Sequence, residues 1–196
     1  SGSGKSSLLR LAAGQLTPQS GTVTLEGNAL AANQHEVILL HQELNLWPHL
    51  TIEESLSLIQ KGNPASLGAE EKNLLSECLG ISNLLHRYPR QLSGGQRQRA
   101  ALLRVLLARP KYILLDEPTS ALDTETTETV INMLSQVKQQ GVGFLISSHD
   151  PRLLTAFCDR HFILEHGNLR GEMKLESSAI EDMGIASRPK TAHTQR

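Results

Sequence analysis

Three separate segments of this sequence carry residues suited to phosphate chemistry, and the first lies at its start. Ser1–Ser6, with the letters SGSGKS, matches the last six positions of the pattern G-x-x-x-x-G-K-[ST]. In that pattern the glycines let backbone N–H groups turn onto phosphate oxygens, the lysine reaches the β and γ phosphates, and the hydroxyl binds magnesium. These roles fall to Lys5 and Ser6. Because an amphipathic helix follows directly, a phosphate loop is favoured over a flexible Gly/Ser linker.

The second segment is an apolar run that ends in two acidic residues. Tyr112–Leu115 is predicted to form a buried strand, and Asp116 and Glu117 follow it directly. A carboxylate in that place can hold magnesium, directly or through water, and its neighbour can orient or deprotonate an attacking water. The alternative is a pair of solvated charges at the start of a loop. The presence of Lys5 and Ser6 favours the chemical interpretation.

The third segment combines a helix start with two glycines. Ser93 and Gln96 have the Ser-x-x-Gln spacing of a capping box, which predicts a helix from Gly94 to about Ala108. The free N–H groups around Gly94 and Gly95, the serine hydroxyl and the positive helix end together suit an anion. A capped helix without a ligand is the simpler alternative. A second phosphate site in one small domain is explained if it serves a nucleotide bound by a partner chain.

Two further polar residues follow predicted strands. Gln42 comes after Val37–Leu40, and His149 comes after the strand that ends at Ser147 and Ser148. The carboxyl ends of parallel strands share one edge of a sheet, so both side chains are expected to face the same crevice as the phosphate loop. Each residue alone is equally consistent with an ordinary polar loop position.

Helix and strand patterns alternate along the chain, which predicts an α/β fold with a largely parallel sheet. Continuous apolar runs are expected to be strands covered on both faces. The predicted strands are Thr22–Leu25, Val37–Leu40, Tyr112–Leu115, Phe144–Ile146 and Phe162–Leu164, the last of which opens a hairpin that turns at Gly167 and Asn168. The predicted helices are Ser6–Ala13, a segment with Leu74, Leu75, Cys78 and Leu79 before a stop at Gly80, Gly94–Ala108, and a helix capped by Asp123 and stopped by Gly141. Pro110 is expected to end the third helix and to push Arg109 into an extended conformation.

Composition excludes some classes of protein. The net charge of −1 over 196 residues provides no basic field for nucleic acid, and no apolar run approaches the ~20 residues that cross a bilayer. Cys78 and Cys158 lack metal-type spacing and are expected to be reduced core thiols of a cytosolic protein. Residues 177–196 are polar and are expected to be a disordered tail.

Given the order of these residues along the sequence, the chain from Ser1 to about Gly171 resembles the ATP-binding subunits of ABC (ATP-binding cassette) transporters. Six motifs carry the resemblance. They are Walker A at Gly4, Lys5 and Ser6, the Q-loop at Gln42, the signature at Leu92–Gln96, Walker B at Asp116 and Glu117, the D-loop at Ser120–Asp123, and the switch histidine at His149.

The resemblance implies a head-to-tail dimer that binds two ATP molecules with Mg²⁺ at its interface. Glu117 would be the catalytic base, His149 would contact the γ phosphate, and Gln42 would sense magnesium and the attacking water. The implied ATP-binding residues are Gly2, Ser3, Gly4, Lys5, Ser6 and Ser7 of one chain, with Ser93, Gly94, Gly95, Gln96 and Asp123 facing the partner's nucleotide. The implied magnesium ligands are Ser6, Gln42 and Asp116.

The resemblance further implies a P-loop NTPase core over 1–176, with a mostly parallel sheet flanked by helices. A small helical subdomain at about 43–108 would carry the signature and grip membrane permease subunits. In it, Leu46–Thr51 is expected to form an exposed contact surface, with internal packing of Trp47 as the alternative. The implied partners are a second ATP-binding subunit, the permease and a substrate-binding protein, at the cytoplasmic face of the inner membrane. The cargo would be a small solute such as an amino acid.

The sequence also departs from the family pattern, because the opening glycine of the phosphate loop would lie before Ser1. We therefore expect a truncated domain that lacks a central strand and the adenine-stacking residue, and that by itself folds poorly and binds ATP weakly. Two other functions stay open. One is a soluble ABC ATPase without a transport role, although the stretch between Lys5 and Ser93 has no room for a long coiled coil. The other is a truncated, inactive fragment.

Overall fold

The computed structural model describes residues 2–30 and 36–173. Ser1 and the tail predicted at 177–196 lie outside the described residues, so neither prediction is tested there. Within the described ranges, helices and strands alternate as expected. The helices are α1 (Lys5–Ala12), α2 (Ile52–Gly62), α3 (Ala69–Cys78), α4 (Gly94–Leu107), α5 (Thr124–Gln139) and α6 (Pro151–Phe157). The strands are β1 (Thr24–Leu25), β2 (Asn28–Ala29), β3 (Val37–Leu40), β4 (Tyr112–Asp116), β5 (Gly143–Ser147), β6 (His161–Glu165) and β7 (Asn168–Met173).

A parallel sheet of β3, β4 and β5 forms the centre of the described fold. Its register places Leu40, Leu115 and Ile146 side by side, one on each strand. Residues that follow these positions therefore leave the sheet along the same edge, which is where the sequence predicted the reactive side chains. The α/β fold class is confirmed.

Two antiparallel hairpins accompany this sheet. β1 pairs with β2 and β6 pairs with β7. Both turns use consecutive residues with positive φ, Glu26 and Gly27 in the first and His166 and Gly167 in the second. Such pairs form tight turns whose twist matches the flanking strands. The predicted closing hairpin is confirmed.

The core is built around α4, because most of its residues from the second turn onward are buried. This helix packs against α2, α3 and β3, while α1 lies on β4 and β5 and α5 packs on α6. The buried apolar residues of α4 are Ala100, Ala101, Leu102, Leu103, Val105, Leu106 and Leu107. The helix that starts at the signature segment therefore links the helical part of the chain to the sheet.

The expectation that three strands are covered on both faces holds only for β4. Its residues Ile113, Leu114 and Leu115 are buried. On β3 only Leu40 is buried, and on β5 Leu145 is 37% exposed. The prediction was wrong for β3 and β5 because, among the described residues, both are edge strands.

An apolar groove of about 1030 Å³ lies along β5, bounded on its far side by β6 and at its ends by α1 and α6. Within the described part of the chain, β5 pairs with β4 alone, so the backbone groups of its other edge face this groove. Phe162 and Ile163 of β6 are 48% and 39% exposed. Exposed apolar side chains of β6 therefore line this groove.

Two local predictions were wrong. Arg109 has φ +50 rather than an extended conformation, because its N–H bonds to the carbonyl of Leu106 and closes the end of α4 in the left-handed region. Cys78 is exposed rather than in the core, whereas Cys158 is half-buried and packs against the core. The core contacts α3 from the side of Leu75 and Leu79, and Leu74 is 62% exposed.

Helices α2, α3 and α4 all fall within the predicted helical subdomain at about 43–108, whose status as a separate unit stays a prediction. The sequence analysis did not identify α2, although Thr51 and Glu54 form a capping box at its start. Across the described ranges, the length and hydropathy of every helix fall short of those of a membrane-spanning helix.

Candidate active site

The glycine loop leads into α1 with its backbone N–H groups open. Gly2 and Gly4 have φ of +82 and +96, which side chains rarely adopt. Gly4 is the N-cap of α1 and supplies no side-chain hydrogen bond to the first turn. The N–H groups at the start of a helix lack intrahelical partners and carry partial positive charge. This loop therefore presents donors to an anion, as the sequence predicted.

Two hydrogen bonds hold the glycine loop in place. Within it, Lys5 Nζ donates to Ser3 Oγ at 3.2 Å, and the N–H of Gly167, in the β6–β7 turn, donates to the Ser3 carbonyl at 3.1 Å. Lys5 also lines the groove together with Ser147 and Ser148. Lys5 therefore borders the same groove as the two residues at the carboxyl end of β5.

Asp116 ends β4 as a buried carboxylate, only 7% exposed. It is register-paired with Ser147 of β5, whose hydroxyl donates to Asp116 Oδ1. A buried charge is costly unless it is hydrogen-bonded or faces a cation. The second carboxylate oxygen of Asp116 is therefore well suited to bind a cation at this edge of the sheet.

Glu117 directly follows and turns toward His149. Its N–H donates to the Ser147 carbonyl at 3.0 Å, and its φ is +52, unusual for a residue with a side chain. Glu117 Oε1 lies 3.6 Å from His149 Nε2, and Oε2 accepts from the His149 N–H at 3.4 Å. The Glu117 side chain is 17% exposed and that of His149 is 71% exposed. A largely buried carboxylate and an accessible imidazole therefore stand together at the strand ends.

Gln42 lies two residues after Leu40 on β3, at the same edge as Glu117 and Ser148 on the neighbouring strands. Its side chain is exposed and, within the described residues, makes no hydrogen bond. The preceding His41 is half-buried; burial, and next the charge of Arg10, lower its pKa against the attraction of Asp116. The structure therefore brings Gln42 to the edge that holds Asp116 and Glu117.

The loop beyond Gln42 is tied to α4 by Arg104. Its guanidinium donates to the carbonyls of Asn45 and Leu44 at 2.6 and 2.8 Å and lies 5.7 Å from the centre of the Trp47 ring. Leu44 and Asn45 both have positive φ. Trp47 is 38% exposed, so it lies at the surface, as one of the two interpretations of Leu46–Thr51 expected.

The signature segment forms the predicted capping box. Ser93 Oγ accepts from the Gln96 N–H at 3.3 Å, and Gln96 Oε1 accepts from the Ser93 N–H at 2.9 Å. Ser93 is exposed and begins the 14-residue helix α4. In the part of the chain that the structure describes, no hydrogen bond or ion pair joins this segment to the Lys5 loop. Among the described residues, the two anion-binding segments of one chain are therefore not bonded to each other.

Asp123 caps α5, as predicted. Its Oδ1 accepts from the Thr126 N–H at 2.8 Å, and this hydrogen bond lowers the pKa of its carboxyl. Asp123 is exposed. It is free to face a second chain.

The described residues contain no cluster of three or more His, Cys, Asp or Glu side chains able to hold a metal ion by themselves. The oxygen donors at this edge are the Asp116 carboxylate, the Ser6 hydroxyl and the Gln42 amide. Magnesium prefers oxygen ligands and keeps several waters or phosphate oxygens. This donor set fits a magnesium ion that arrives with a nucleotide.

Sequence reasoning missed two residues at this site, Arg104 and Gln98. Gln98 is 4% exposed in α4. Its Nε2 donates to the Glu117 carbonyl at 2.9 Å and its Oε1 accepts from the Ala121 N–H at 3.1 Å. The available signal was a polar residue on the apolar face of a predicted helix, one turn before Ala101 and Leu102.

Comparisons with known proteins agree with this geometry. A family model described as ABC transporter matches residues 1–120. The thiamine import ATP-binding protein ThiQ of Shigella flexneri is 37% identical, over 95% of this chain and 83% of that protein. The methionine import ATP-binding protein MetN 1 of Acinetobacter baylyi is 35% identical over 86% of this chain. The chain spans 51% of that relative's length.

Solved structures show the same fold. A dimeric structure of a bacterial ABC transporter cassette superposes with a TM-score of 0.77 and 30% identity, covering 90% of this chain and 82% of that one. A dimeric post-hydrolysis state of an ATP-binding cassette bound to ADP and Pi has a TM-score of 0.76 and 28% identity, covering 89% and 82%.

Proposed function

Since this chain belongs to the ABC transporter family, we propose that it is an ATP-binding subunit that hydrolyses ATP to drive solute import through membrane subunits. The observation that carries the proposal is the grouping of Asp116, Glu117 and His149 at the ends of adjacent parallel strands. The glycine loop leads into α1, which packs on β4 and β5, and Lys5 borders the same groove as Ser147 and Ser148.

The proposed chemistry assigns each side chain one task. The N–H groups of Gly2–Ser7 and the Lys5 ammonium bind the phosphates of ATP. Glu117 accepts a proton from the water that attacks the γ phosphate, and His149, already within 3.6 Å of Glu117, orients the transferred group. Hydrolysis of this kind depends on positioning and charge stabilisation more than on covalent chemistry.

Magnesium is the proposed cofactor, and it would neutralise charge on the β and γ phosphates. Asp116, Ser6 and Gln42 would hold it. The hydroxyl of Ser147, hydrogen-bonded to Asp116 Oδ1, keeps that carboxylate in one orientation so that its second oxygen faces the site. Outer-shell hydrogen bonds of this type fix the direction of a metal ligand.

The active site is proposed to be completed by a second copy of the chain. Ser93, Gly94, Gly95 and Gln96 would bind the nucleotide held by the partner, and Asp123 would couple the two sites. Two observations support this. Among the described residues, no hydrogen bond or ion pair joins the two anion-binding segments of one chain, and the similar cassettes with solved structures are dimeric.

The proposed membrane partner is a permease that contacts the Leu46–Thr51 surface, where Trp47 is held at the surface by Arg104. The protein would then act as a peripheral subunit on the cytoplasmic face of the membrane, with residues 1–176 as its ATPase domain. A substrate-binding protein would deliver the cargo. The relatives are named as importers of thiamine and methionine, which supports a small organic cargo, including an amino acid.

Replacement of Glu117 by Gln tests this proposal in the full-length protein. The amide keeps the size of the side chain but cannot accept the proton, so turnover should fall by about 100- to 10,000-fold while ATP binding persists. Phosphate release measures the first quantity and nucleotide titration the second. Glu125→Gln, an exposed acid in the first turn of α5, is the matched control. Equal turnover in the Glu117→Gln variant and the wild type would refute the assigned base.

A further inference from the structure

Gln98 is a buried amide that none of the roles above uses. It lies in α4 and is 4% exposed. Both ends of the amide are engaged, the Nε2 with the Glu117 carbonyl at 2.9 Å and the Oε1 with the Ala121 N–H at 3.1 Å. Buried polar groups that are satisfied at both ends fix the geometry of the segments they join. Gln98 therefore fixes the loop from Glu117 to Ala121 against α4.

The loop that Gln98 holds has an unusual backbone. Glu117 has φ +52, a conformation that persists in a residue with a side chain only when its surroundings hold it. Its N–H is held by the Ser147 carbonyl, and its own carbonyl accepts from both Ser120 and Gln98. One of these three restraints therefore comes from α4, and it acts on the residue proposed as the base.

The first turn of α4 also lies directly on this loop. A Cβ at Gly95 would lie 3.0 Å from the Ala121 carbonyl oxygen and 3.4 Å from Leu122 Cδ2. A side chain at this position would require the neighbouring backbone to shift by a few tenths of an ångström. The helix end that begins at Ser93 is therefore in contact with the same segment that Gln98 bonds, so a shift of one requires a shift of the other.

We propose that Gln98 is a positioning residue that couples the start of α4 to the backbone of Glu117. This inference rests on the proposed function, in which Ser93 binds the partner's nucleotide. When that nucleotide engages the helix start, Gln98 holds Glu117 in its reactive conformation. A chain then hydrolyses its own nucleotide only when its Ser93 segment has bound the partner's nucleotide. The two hydrogen bonds of Gln98 connect these two events within one chain.

The first test is Gln98→Met in the full-length protein, assembled with its membrane subunits. Methionine is unbranched and of similar length, so it fills the space and removes both hydrogen bonds. We expect kcat to fall about 10- to 100-fold, as for other small misplacements of a reactive group. ATP affinity and ATP-dependent dimerisation should be unchanged, because neither the glycine loop nor Ser93 is altered.

Gln60→Met is the matched control. Gln60 is a half-buried amide on α2 whose Nε2 donates to the Leu67 carbonyl at 2.8 Å. The same substitution there also removes a bond from a helix side chain to a backbone carbonyl, but Leu67 lies outside the loop of Glu117. Its kcat should equal that of the wild type.

The second test is the pH dependence of Gln98→Glu. A buried carboxyl has a raised pKa because burial disfavours its charged form, and its protonated form can donate to the Glu117 carbonyl while it accepts from Ala121. The ratio of variant to wild-type kcat should therefore rise as pH falls.

Two outcomes would overturn the inference. One is a Gln98→Met protein whose kcat equals that of an active wild type. The other has two parts: Gln98→Met loses ATP affinity, dimerisation and thermal stability together, and the ratio of Gln98→Glu kcat to wild-type kcat does not change with pH. That result would make Gln98 a packing residue. A wild-type complex without ATP hydrolysis would instead contradict the proposed function, so the two failures are distinguishable.

Discussion

At the scale of single residues, the site combines one strained backbone position with several strong side-chain restraints. Glu117 adopts φ +52 and contacts His149. Directly after His149, Asp150 caps α6 and forms a paired contact with Arg152, with Nε to Oδ1 at 3.0 Å and Nη2 to Oδ2 at 2.9 Å. Arg152 therefore holds the carboxylate of the residue that directly follows His149.

Asp150→Asn should flatten part of the pH dependence of stability. Burial alone would raise the pKa of Asp150, but the hydrogen bonds and charge of Arg152 outweigh it and lower that pKa. A carboxyl whose pKa is lower in the folded state stabilises the fold above its unfolded pKa of about 3.9, and the effect is lost as pH falls through the folded pKa. Melting temperatures of wild type and variant should therefore converge on the acid side.

Asp159→Asn is the control for this measurement, because Asp159 is an exposed carboxylate paired with Lys138. The melting temperature of Asp159→Asn should differ from that of the wild type by a nearly constant amount as pH changes. For Asp150→Asn, this difference should change more with pH. A constant difference between wild type and Asp150→Asn over the whole acid range would show that the Arg152 contact contributes no linked stability.

At the scale of elements, the sheet positions the site through the close pairing of β4 and β5. The pairing puts Asp116 opposite Ser147 and Tyr112 opposite Gly143. A Cβ at Gly143 would lie 2.6 Å from Tyr112 Cδ1, on the ring rather than at a flexible chain end. The start of β5 therefore has room only for a glycine.

Gly143→Ala should destabilise the protein by about 1–3 kcal/mol, the cost of forcing an extra methyl into a packed site. Denaturant unfolding of the full-length protein measures this change. Gly62→Ala is the matched control, since a Cβ at Gly62 meets nothing within 4 Å and alanine in a helix is favoured by about 0.5–1 kcal/mol. Equal effects of the two substitutions would contradict the steric argument.

At the scale of the whole molecule, the described residues include two anion-binding segments that no hydrogen bond or ion pair joins. The glycine loop leads into α1, which packs on β4 and β5, and Ser93 caps α4, whose first turn lies against Ala121. A second chain is the simplest means of joining them, and the similar cassettes form dimers. Assembly is therefore proposed to be part of the reaction.

Ser93→Arg should abolish ATP hydrolysis and ATP-dependent dimerisation in the full-length protein, and it should spare ATP binding by a single chain. The larger side chain would occupy the space of the partner's phosphates without touching the Lys5 loop. Turnover, light scattering and nucleotide titration measure the three quantities. Asn73→Arg, which adds the same charge to the exposed side of α3, is the control. Unchanged turnover in Ser93→Arg would refute the shared site.

Local spacing in the sequence determined most of the elements and many of the site residues. The capping boxes, the positive-φ glycines of the phosphate loop and the strand ends at Asp116 and Ser147 depend on residues within a few positions of each other. For that reason the signature helix, the cap at Asp123 and the positions of β3, β4 and β5 along the chain followed from pattern alone. Family membership followed from the same motifs.

The tertiary structure alone decided how these pieces hold one another. Glu117 takes its left-handed backbone from contacts with Gln98, 19 residues away, and with Ser147, which belongs to the next strand. Arg104 reaches the loop of Leu44 across 60 positions, and β5 is an edge strand beside an open groove because of its pairing partners. Such contacts join residues far apart in the chain, and no local pattern specifies them. The sequence therefore determined which groups could react, and the packing of α4 on the sheet decided which backbone positions they occupy.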